Sequence, residues 1–251
     1  MTASRLLLPL LLLPVLAFGQ ATPTIDAREF DRFERFNRKV YAFNEGIDRY
    51  AIKPVARGYE RITSPEVRTV VGNFFSNLRL PISALHALLQ GKPRVAGRNL
   101  GRFGINSTVG LLGLFDPASK KFGINAQQED LGQTLAVWGV DEGPYLVLPF
   151  FGPSTVRDGI GGAIDGYIDP VQFYTRQESD YRPMALDLIN LRAQFFQTEQ
   201  YIEDAYDPYI FVRDAYRQRR IYAIYDGEPP PELLEELLMP EDDPADLLED
   251  E

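Results

Sequence analysis

The chain has 251 residues, of which 45% are hydrophobic, so it can bury a sizeable core as one large domain or two small ones. The sequence contains no cysteine, which excludes disulfides, thiolate metal sites, cysteine nucleophiles and a lipid-modified N-terminal cysteine. The net charge of -10 comes from the C-terminal end, because twelve acidic and no basic residues follow Tyr225. The nearly neutral remainder argues against nucleic acid as a partner.

The first 19 residues have the layout of a secretory signal peptide. Arg5 precedes an apolar run, Leu6–Phe18, and the small residues Ala17 and Gly19 favour cleavage near Gln20. The apolar run is shorter than the ~20 residues of a membrane-spanning helix, and no later segment offers ~18 uninterrupted apolar residues. We therefore expect an exported chain that stays on one side of a membrane. An exported protein of this size without disulfides suits a bacterial periplasm.

The first helix is strongly amphipathic. Asp26 and Glu29 are spaced as a capping pair, and Pro54 is expected to end the helix. One face is apolar and consists of Phe30, Phe33, Phe36, Val40, Phe43, Ile47 and Tyr50. The opposite face carries eight charged residues. This pattern suits a helix lying in a membrane interface, and it suits a soluble bundle equally well.

Helical signals continue along the rest of the chain. Ser64 is expected to start a second helix that runs to about Leu78, and a third helix is expected to stop at Gly91 after starting at Ile82. Four further helices are predicted at residues 94–106, 154–168, 183–205 and 208–224, with Ser154 as the cap of the second of these four.

Strand signals are confined to Tyr145–Leu148, so the sequence predicts an all-α protein. This strand opens a longer apolar run, Tyr145–Phe151, which we do not expect to be exposed to water. Residues 226–251 are predicted to form an acidic, disordered tail that either solubilises the chain or binds a basic partner.

Catalytic and metal-binding patterns are scarce. His86 is the only histidine, and its apolar neighbours favour a packed or hydrogen-bonded residue. No serine lies in a G-x-S-x-G elbow, and one histidine without cysteine leaves only carboxylates for a metal. Asp158 and Asp165, beside Arg157, are more typical of a structural ion network than of catalysis. We therefore expect no enzyme activity, no metal and no cofactor, while a hydrolase built on His86 or a carboxylate pair remains an alternative.

Five motifs in one order resemble the MlaA family, also called VacJ, from residue 29 to residue 227. The motifs are FERFNRKVYAFNEGIDRYAIKPVARGYE, NFFSNLRLPISALHALLQGK, GRFGINSTVGLLGLFDPASKKFGI, EDLGQTLAVWGVDEGPYLVLPFFGPSTVRD and DPYIFVRDAYRQRR. The resemblance implies a protein on the periplasmic face of the outer membrane that removes mislocalised phospholipids from the outer leaflet. It would pass them to a periplasmic lipid-carrier protein and so maintain lipid asymmetry.

The resemblance also implies a ring of amphipathic helices around a central amphipathic channel. The ring would lie in the inner leaflet of the membrane, beside a trimeric porin, and a hairpin at about Leu114–Trp138 would gate the channel. On this basis three sets of residues become candidates. The lipid-channel candidates are Arg98, Arg102, Leu146, Leu148 and Phe150. The gate-hinge candidates are Gly110, Gly113, Gly132, Gly139 and Gly143. The membrane-facing candidates are Phe30, Phe33, Phe36 and Phe43.

Two features depart from the family pattern. Gln20 stands about where members carry an acylated cysteine, so we expect attachment through amphipathic helices and the porin. Asp141 and Glu142 stand where members often have another glycine, which predicts a stiffer hinge or one held by charge. For Arg98 and Arg102, structural ion pairing remains as good an explanation as a channel role. The alternative function is a soluble periplasmic lipid-binding module, which would have a closed apolar cavity and no exposed phenylalanine belt.

Overall fold

The computed structural model describes residues 30–233, and its first elements form one long helical arm. Helix α1 (Glu34–Ile47) passes through a π-helical turn, Asp48–Ile52, into α2 (Lys53–Ile62). The prediction that Pro54 ends the helix is wrong. The wider π turn lies directly before the proline, where it accommodates a residue that has no N–H to donate to the helix ladder. The expected capping pair and the signal peptide lie outside the described residues.

Helix α3 spans Pro65–Leu89 as one helix, where two had been expected. Ser64 caps its start by accepting a hydrogen bond from the Val67 N–H at 3.4 Å, as predicted. Pro81 lies inside the helix without ending it, because α3 packs along α4 (Pro93–Thr108) and a missing backbone bond is compensated by tertiary contact. Gly91 follows in the left-handed region, with φ of 74°.

Two short helices follow α4 and were not predicted. Helix α5 is Pro117–Phe122 and α6 is Leu131–Val137. Each starts at an aspartate that accepts a backbone N–H, namely Asp116 from Ser119 and Asp130 from Gln133. Their few residues show too little periodicity to be recognised in a sequence.

The predicted strand is confirmed as β1 (Tyr145–Leu148), which pairs antiparallel with β2 (Gly152–Thr155). The prediction that Ser154 caps a helix is wrong, because Ser154 is a strand residue paired with Leu146. Thr155 caps the next helix instead, accepting the Asp158 N–H at 3.2 Å. The apolar run and the following turn thus form a hairpin.

The remaining helices are α7 (Val156–Ile168), α8 (Pro170–Glu178), α9 (Arg182–Phe195), α10 (Glu199–Glu203) and α11 (Pro208–Ile224). Helix α11 has the predicted bounds, whereas the helix predicted for residues 183–205 is broken between α9 and α10. Within residues 30–233 the hairpin is the only sheet, so the all-α prediction is confirmed.

Two apolar clusters hold these elements together. The larger one joins the helical arm, the hairpin and α11 through Phe30, Val40, Tyr145, Val147, Tyr209 and Tyr216. The smaller one lies between α3 and α4 and uses Ala84, Ala87, Val95 and Ala96. Small side chains let these two helices approach closely.

Much apolar surface remains outside these clusters. Large hydrophobic side chains are exposed on most helices, including the phenylalanines of α1 and several leucines of α9. In the described part of the chain, no helix has the length and apolarity needed to cross a bilayer.

Candidate functional site

A cleft of about 380 Å³ opens between the helical arm, the hairpin and helices α9 to α11. Part of its lining is apolar and consists mainly of Val147, Pro153, Phe195, Ile202, Pro208 and Val212. Another part is charged and consists of Glu45, Asp48, Arg49, Lys53, Arg192, Glu199 and Glu203. The cleft is therefore amphipathic, with a volume near the lower end of the roughly 300–1,000 Å³ that ligand sites span.

The charged side of the cleft is an ordered ion network. Arg192 binds the Asp48 carboxylate through two nitrogens, at 2.7 and 2.8 Å, and also contacts Glu199. Lys53 lies 3.2 Å from Glu199. Burial by itself raises the pKa of Glu199, but the hydrogen bonds from Arg192 and Lys53 outweigh it and hold that pKa below its usual value. The network alternates cations and anions, which suits a head group that carries both charges.

Asn37 fixes the hairpin to the helical arm from one side of the larger cluster. Its amide nitrogen donates to the Tyr145 carbonyl at 3.0 Å, and its oxygen accepts the Val147 N–H at 2.9 Å. The same nitrogen donates to Asp31 at 2.9 Å. The side chain is fully buried and pairs with the free edge of β1 as a further strand would.

Asn44, two helical turns after Asn37, repeats this arrangement at the hairpin turn. It donates to the Leu148 carbonyl at 2.9 Å and accepts the Phe150 N–H at 2.8 Å. Phe150 is held at a φ of 68°, a conformation that costs a bulky residue roughly 1–3 kcal/mol. We call Asn37 and Asn44 the asparagine clamp. It was not predicted, although two amides seven residues apart on an otherwise apolar face were a visible signal.

The hairpin does line the cleft, but through other residues than predicted. Val147, Gly152 and Pro153 face the cavity, whereas Leu146 and Leu148 are absent from its lining. The alternation of a strand explains this, because successive side chains point to opposite faces.

Phe150 and Phe151 are 71% and 79% exposed, so the end of the apolar run is not covered by other described residues of the protein. Phe150 packs edge-on against Phe43, with ring centroids 5.5 Å apart. Phe150 is not among the residues lining the cleft, and its assignment to a channel wall stays a prediction. In this structure it extends the exposed phenylalanine face of α1.

The two arginine candidates also lie away from the cleft. Arg102 is buried, where it binds Asp116 at 2.9 Å and the Ile124 carbonyl, so the ion-pair explanation holds for it. Arg98 is exposed on α4. Neither residue is among those lining the cleft.

Three of the five hinge candidates are tightly packed. A Cβ on Gly110 would come within 2.5 Å of the Asn106 and Phe115 carbonyl oxygens, and one on Gly113 within 2.6 Å of Asn77. A Cβ on Gly132 would overlap the Arg220 guanidinium. Close packing explains these three glycines without a hinge, and their role in a gate stays a prediction.

Gly139 and Gly143 are less tightly packed than these three, and both are left-handed, with φ of 83° and 65°. Between them, the Asp141 carboxylate accepts the Gly143 N–H at 2.9 Å, and the Glu142 carbonyl accepts the Arg157 N–H at 3.1 Å. The Glu142 carboxylate also interacts electrostatically with Arg217 and Arg157. Gate motion at these two glycines stays a prediction.

The membrane-facing set divides in two. Phe33, Phe36 and Phe43 are exposed, in keeping with the prediction. Phe30 is buried against Tyr145, with ring centroids 5.5 Å apart, so its assignment to the membrane face is wrong. Phe30 instead belongs to the larger apolar cluster, together with Tyr145 and Val147 of the hairpin.

His86 is buried and packed, as predicted. Its Nε2 lies 2.9 Å from Asp165 and its Nδ1 3.3 Å from the Thr134 hydroxyl, which is itself fully buried. His86 is only 3% exposed. Asp158 joins a different network, in which Arg220 bridges it to Asp130. Asp158 thus belongs to an ion network, as the sequence indicated, whereas Asp165 is hydrogen-bonded to His86 and to the Leu131 N–H.

Comparison with known proteins gives a consistent result. The model of the family described as MlaA lipoprotein matches residues 29–223. The protein named "Intermembrane phospholipid transport system lipoprotein MlaA" of Escherichia coli K12 is 34% identical over 205 residues, covering 80% of this chain and 81% of that protein. The protein of the same name from Haemophilus influenzae is 32% identical over 202 residues, covering 79% and 80%.

An uncharacterized protein of Rickettsia typhi is 37% identical over 193 residues, covering 76% of each chain. A solved chain from work on the structural basis for maintenance of bacterial outer membrane lipid asymmetry is 32% identical, with a TM-score of 0.68. That match covers 77% of this chain and 98% of the solved one. The chain belongs to the MlaA lipoprotein family.

Proposed function

We propose that this protein takes part in intermembrane phospholipid transport. It removes phospholipids that have strayed into the outer leaflet of the outer membrane and passes them to a periplasmic lipid carrier. The names of the relatives from Escherichia coli and Haemophilus influenzae support the transport role. The single structural observation that carries the proposal is the amphipathic cleft beside an exposed phenylalanine face.

The cleft can hold part of a phospholipid in a defined orientation. An acyl chain would lie against Phe195, Ile202 and Val212, where it leaves water, and the head group would meet the network around Arg192. Because Glu199 and Asp48 already neutralise the cations there, a phosphate must exchange with a carboxylate to bind. Binding of this kind is readily reversed, which a transporter requires more than tight affinity.

The membrane location is part of the proposal. The exposed rings of Phe33, Phe36 and Phe43 lie on a helix whose other face is charged, the arrangement of an interfacial helix in the inner leaflet. Attachment would then rest on these helices and on a trimeric porin, without an acyl chain. The soluble-module alternative predicts a closed apolar cavity and no such belt, and the exposed rings of Phe33, Phe36 and Phe43 argue against it.

The proposal is tested by filling the cleft. Val212→Trp places a large ring in the apolar side, so a strain lacking the gene and complemented with this variant should accumulate phospholipid in its outer leaflet. Phe211→Trp changes the neighbouring residue of α11, which does not line the cleft, and should restore lipid asymmetry like the unchanged chain.

Outer-leaflet phospholipid is measured by labelling of intact cells, and immunoblotting confirms equal amounts of both variants. The proposal is wrong if deletion of the gene leaves the outer leaflet unchanged. If deletion matters but Val212→Trp complements fully, the transport role stands and the cleft is not the lipid path.

A further inference from the structure

Helix α4 and the following segment carry a charge opposite to that of the whole chain. Residues 92–128 contain six basic side chains and a single acid, Asp116, in a protein with a net charge of -10. Asp116 is already bound to Arg102 at 2.9 Å. This stretch folds back on itself, since Asp116 and the Gln127 carbonyl accept hydrogen bonds from Asn106 and Asn99, which lie about two turns apart on α4. We call it the basic helical hairpin.

The tip of the basic helical hairpin is apolar and exposed. The turn VGLLGLF, residues 109–115, presents Val109, Leu111, Leu112 and Phe115 to the outside. Leu111 and Leu112 are 60% and 71% exposed. Both are also left-handed, with φ of 53° and 59°, a conformation that leucine strongly disfavours. We call residues 109–115 the leucine turn.

The leucine turn is braced in this conformation from behind. The Gly113 N–H donates to the Asn106 carbonyl at 2.8 Å, and the Phe115 N–H donates to the Gly110 carbonyl at 2.9 Å. Asn73 of α3 donates to the Leu114 carbonyl at 3.2 Å. The close approach of Gly113 to Asn77 leaves no room for a side chain there. The fold therefore holds two leucines rigidly outward, against both backbone preference and the hydrophobic effect.

Exposed cations lie behind the leucine turn. Lys120 and Lys121 are at the end of α5, within about 9 Å of helix length from the turn, and Phe122 beside them is also exposed. Arg94 and Arg98 are exposed on α4. Among the described residues, these four cations form no ion pair.

We propose that the basic helical hairpin is a docking site for an anionic phospholipid surface, into which the leucine turn inserts. The leucines would enter the acyl region while Lys120 and Lys121 contact lipid phosphates at the level of the head groups. Charge complementarity selects this occupant, because Lys120 and Lys121 are exposed, form no ion pair among the described residues and follow closely on an apolar tip. This contact is separate from the amphipathic cleft and from the phenylalanine face of α1, and it does not depend on the transport role.

The test is sedimentation of the purified full chain with vesicles. One set contains phosphatidylcholine alone, and the other contains phosphatidylcholine with a minor fraction of phosphatidylglycerol. The unchanged chain should bind the anionic vesicles more tightly. The double variant Lys120→Gln and Lys121→Gln should bind anionic vesicles more weakly, by about fivefold per lysine. Its affinity for vesicles of phosphatidylcholine alone should not change. Arg61→Gln with Arg219→Gln removes the same charge elsewhere and should have less effect.

A second variant separates insertion from folding. Leu111→Asn with Leu112→Asn removes both apolar side chains, and asparagine tolerates the left-handed region better than leucine. Its melting temperature should be equal to or above that of the unchanged chain, while its affinity for both kinds of vesicle should fall at least about tenfold.

Three results would overturn the proposal. The first is unchanged vesicle binding by the asparagine variant. The second is an equal loss from the lysine pair and from the arginine control. The third is an asparagine variant that binds vesicles normally but no longer crosslinks to a neighbouring protein in membranes. That result would make the leucine turn a protein interface.

Discussion

At the scale of single residues, Asn37 shows how one side chain positions a whole hairpin. Its amide satisfies a backbone carbonyl and a backbone N–H of β1, and it also binds Asp31. Each of these groups is buried, so each would lose a hydrogen bond without gaining water if the amide were removed. Asn37 therefore contributes more to the free energy of unfolding than an average hydrogen bond does.

We expect Asn37→Asp to lower the free energy of unfolding by roughly 3 kcal/mol. The new carboxylate cannot donate to the Tyr145 carbonyl, and it would face Asp31. Urea denaturation followed by circular dichroism measures this. Asn125→Asp is the control, because Asn125 is exposed and its oxygen accepts from Ser119, and it should change the free energy by less than about 0.5 kcal/mol. If both variants lowered the free energy of unfolding equally, the buried hydrogen bonds of Asn37 would contribute no more than the exposed one of Asn125.

At the scale of elements, a buried ion network ties α6, α7 and α11 together. Arg220 of α11 binds Asp130 at 2.5 Å and Asp158 at 2.6 Å, and the Tyr216 hydroxyl donates to Asp158 at 2.5 Å. Burial raises the pKa of Asp130, but the bonds from Arg220 outweigh it and bring that pKa to about 2. The pKa of Asp158 is lowered by the same guanidinium against the same opposing effect of burial.

This network predicts a specific acid sensitivity. Both carboxyl groups have a folded-state pKa below their unfolded value of about 3.9, so their contribution is present above about pH 4 and is lost as the pH falls toward 2. Asp130 is partly exposed, so solvent screening limits its contribution to the free energy of unfolding to about 1 kcal/mol.

Arg220→Gln should lower the free energy of unfolding near neutral pH by about 3–5 kcal/mol, because Asp158 keeps a buried charge. The variant should also lose stability less steeply than the unchanged chain between pH 4 and 2. Urea midpoints measured across that range test both points. Arg182→Gln, which removes an exposed partner of Asp180, should leave the pH profile nearly unchanged.

The glycines of α4 and its turn test whether this segment is a hinge. Gly110→Ala should lower the free energy of unfolding by about 1–3 kcal/mol, because the new Cβ meets two carbonyl oxygens. Gly97→Ala, in the open middle of α4, should raise it by up to about 1 kcal/mol. Thermal unfolding measures both. A Gly110→Ala protein of unchanged stability but impaired lipid transport would favour the hinge interpretation instead.

At the scale of the whole molecule, the distribution of apolar surface distinguishes this chain from an ordinary helical bundle. Its apolar clusters are small, and large apolar side chains remain exposed on most helices. Such a surface is stabilised when it leaves water for a lipid environment. This distribution of apolar surface supports the proposed attachment through the helices themselves.

We expect the mature chain to sediment with outer membranes and to remain there at high salt, which screens charges but not apolar contacts. Replacing Phe33, Phe36 and Phe43 together with serine should shift the protein toward the soluble periplasmic fraction. Serine at Tyr181, Tyr201 and Tyr206 removes three exposed rings outside α1 and should have a smaller effect. Recovery of the unchanged chain mainly in the soluble fraction would refute this prediction.

The sequence by itself determined the helical class, the bounds of α11, the strand of the hairpin and the family. Each of these depends on the local period of apolar residues or on contiguous motifs, which survive without knowledge of the fold. The prediction of helix ends from the sequence failed where a proline lies within a continuous helix, as at Pro54 and Pro81. Neighbouring elements there compensate for the backbone hydrogen bond that proline cannot donate.

The tertiary structure alone decided which residues meet. Asn37 and Tyr145 are 108 positions apart, and the cleft draws its lining from residues 41 to 212. Phe30 and Phe36 follow the same helical period, yet one is buried and the other is exposed. The reason is physical: periodicity identifies an apolar face, but only the packing of distant elements determines whether that face meets the core, a cleft or the surroundings.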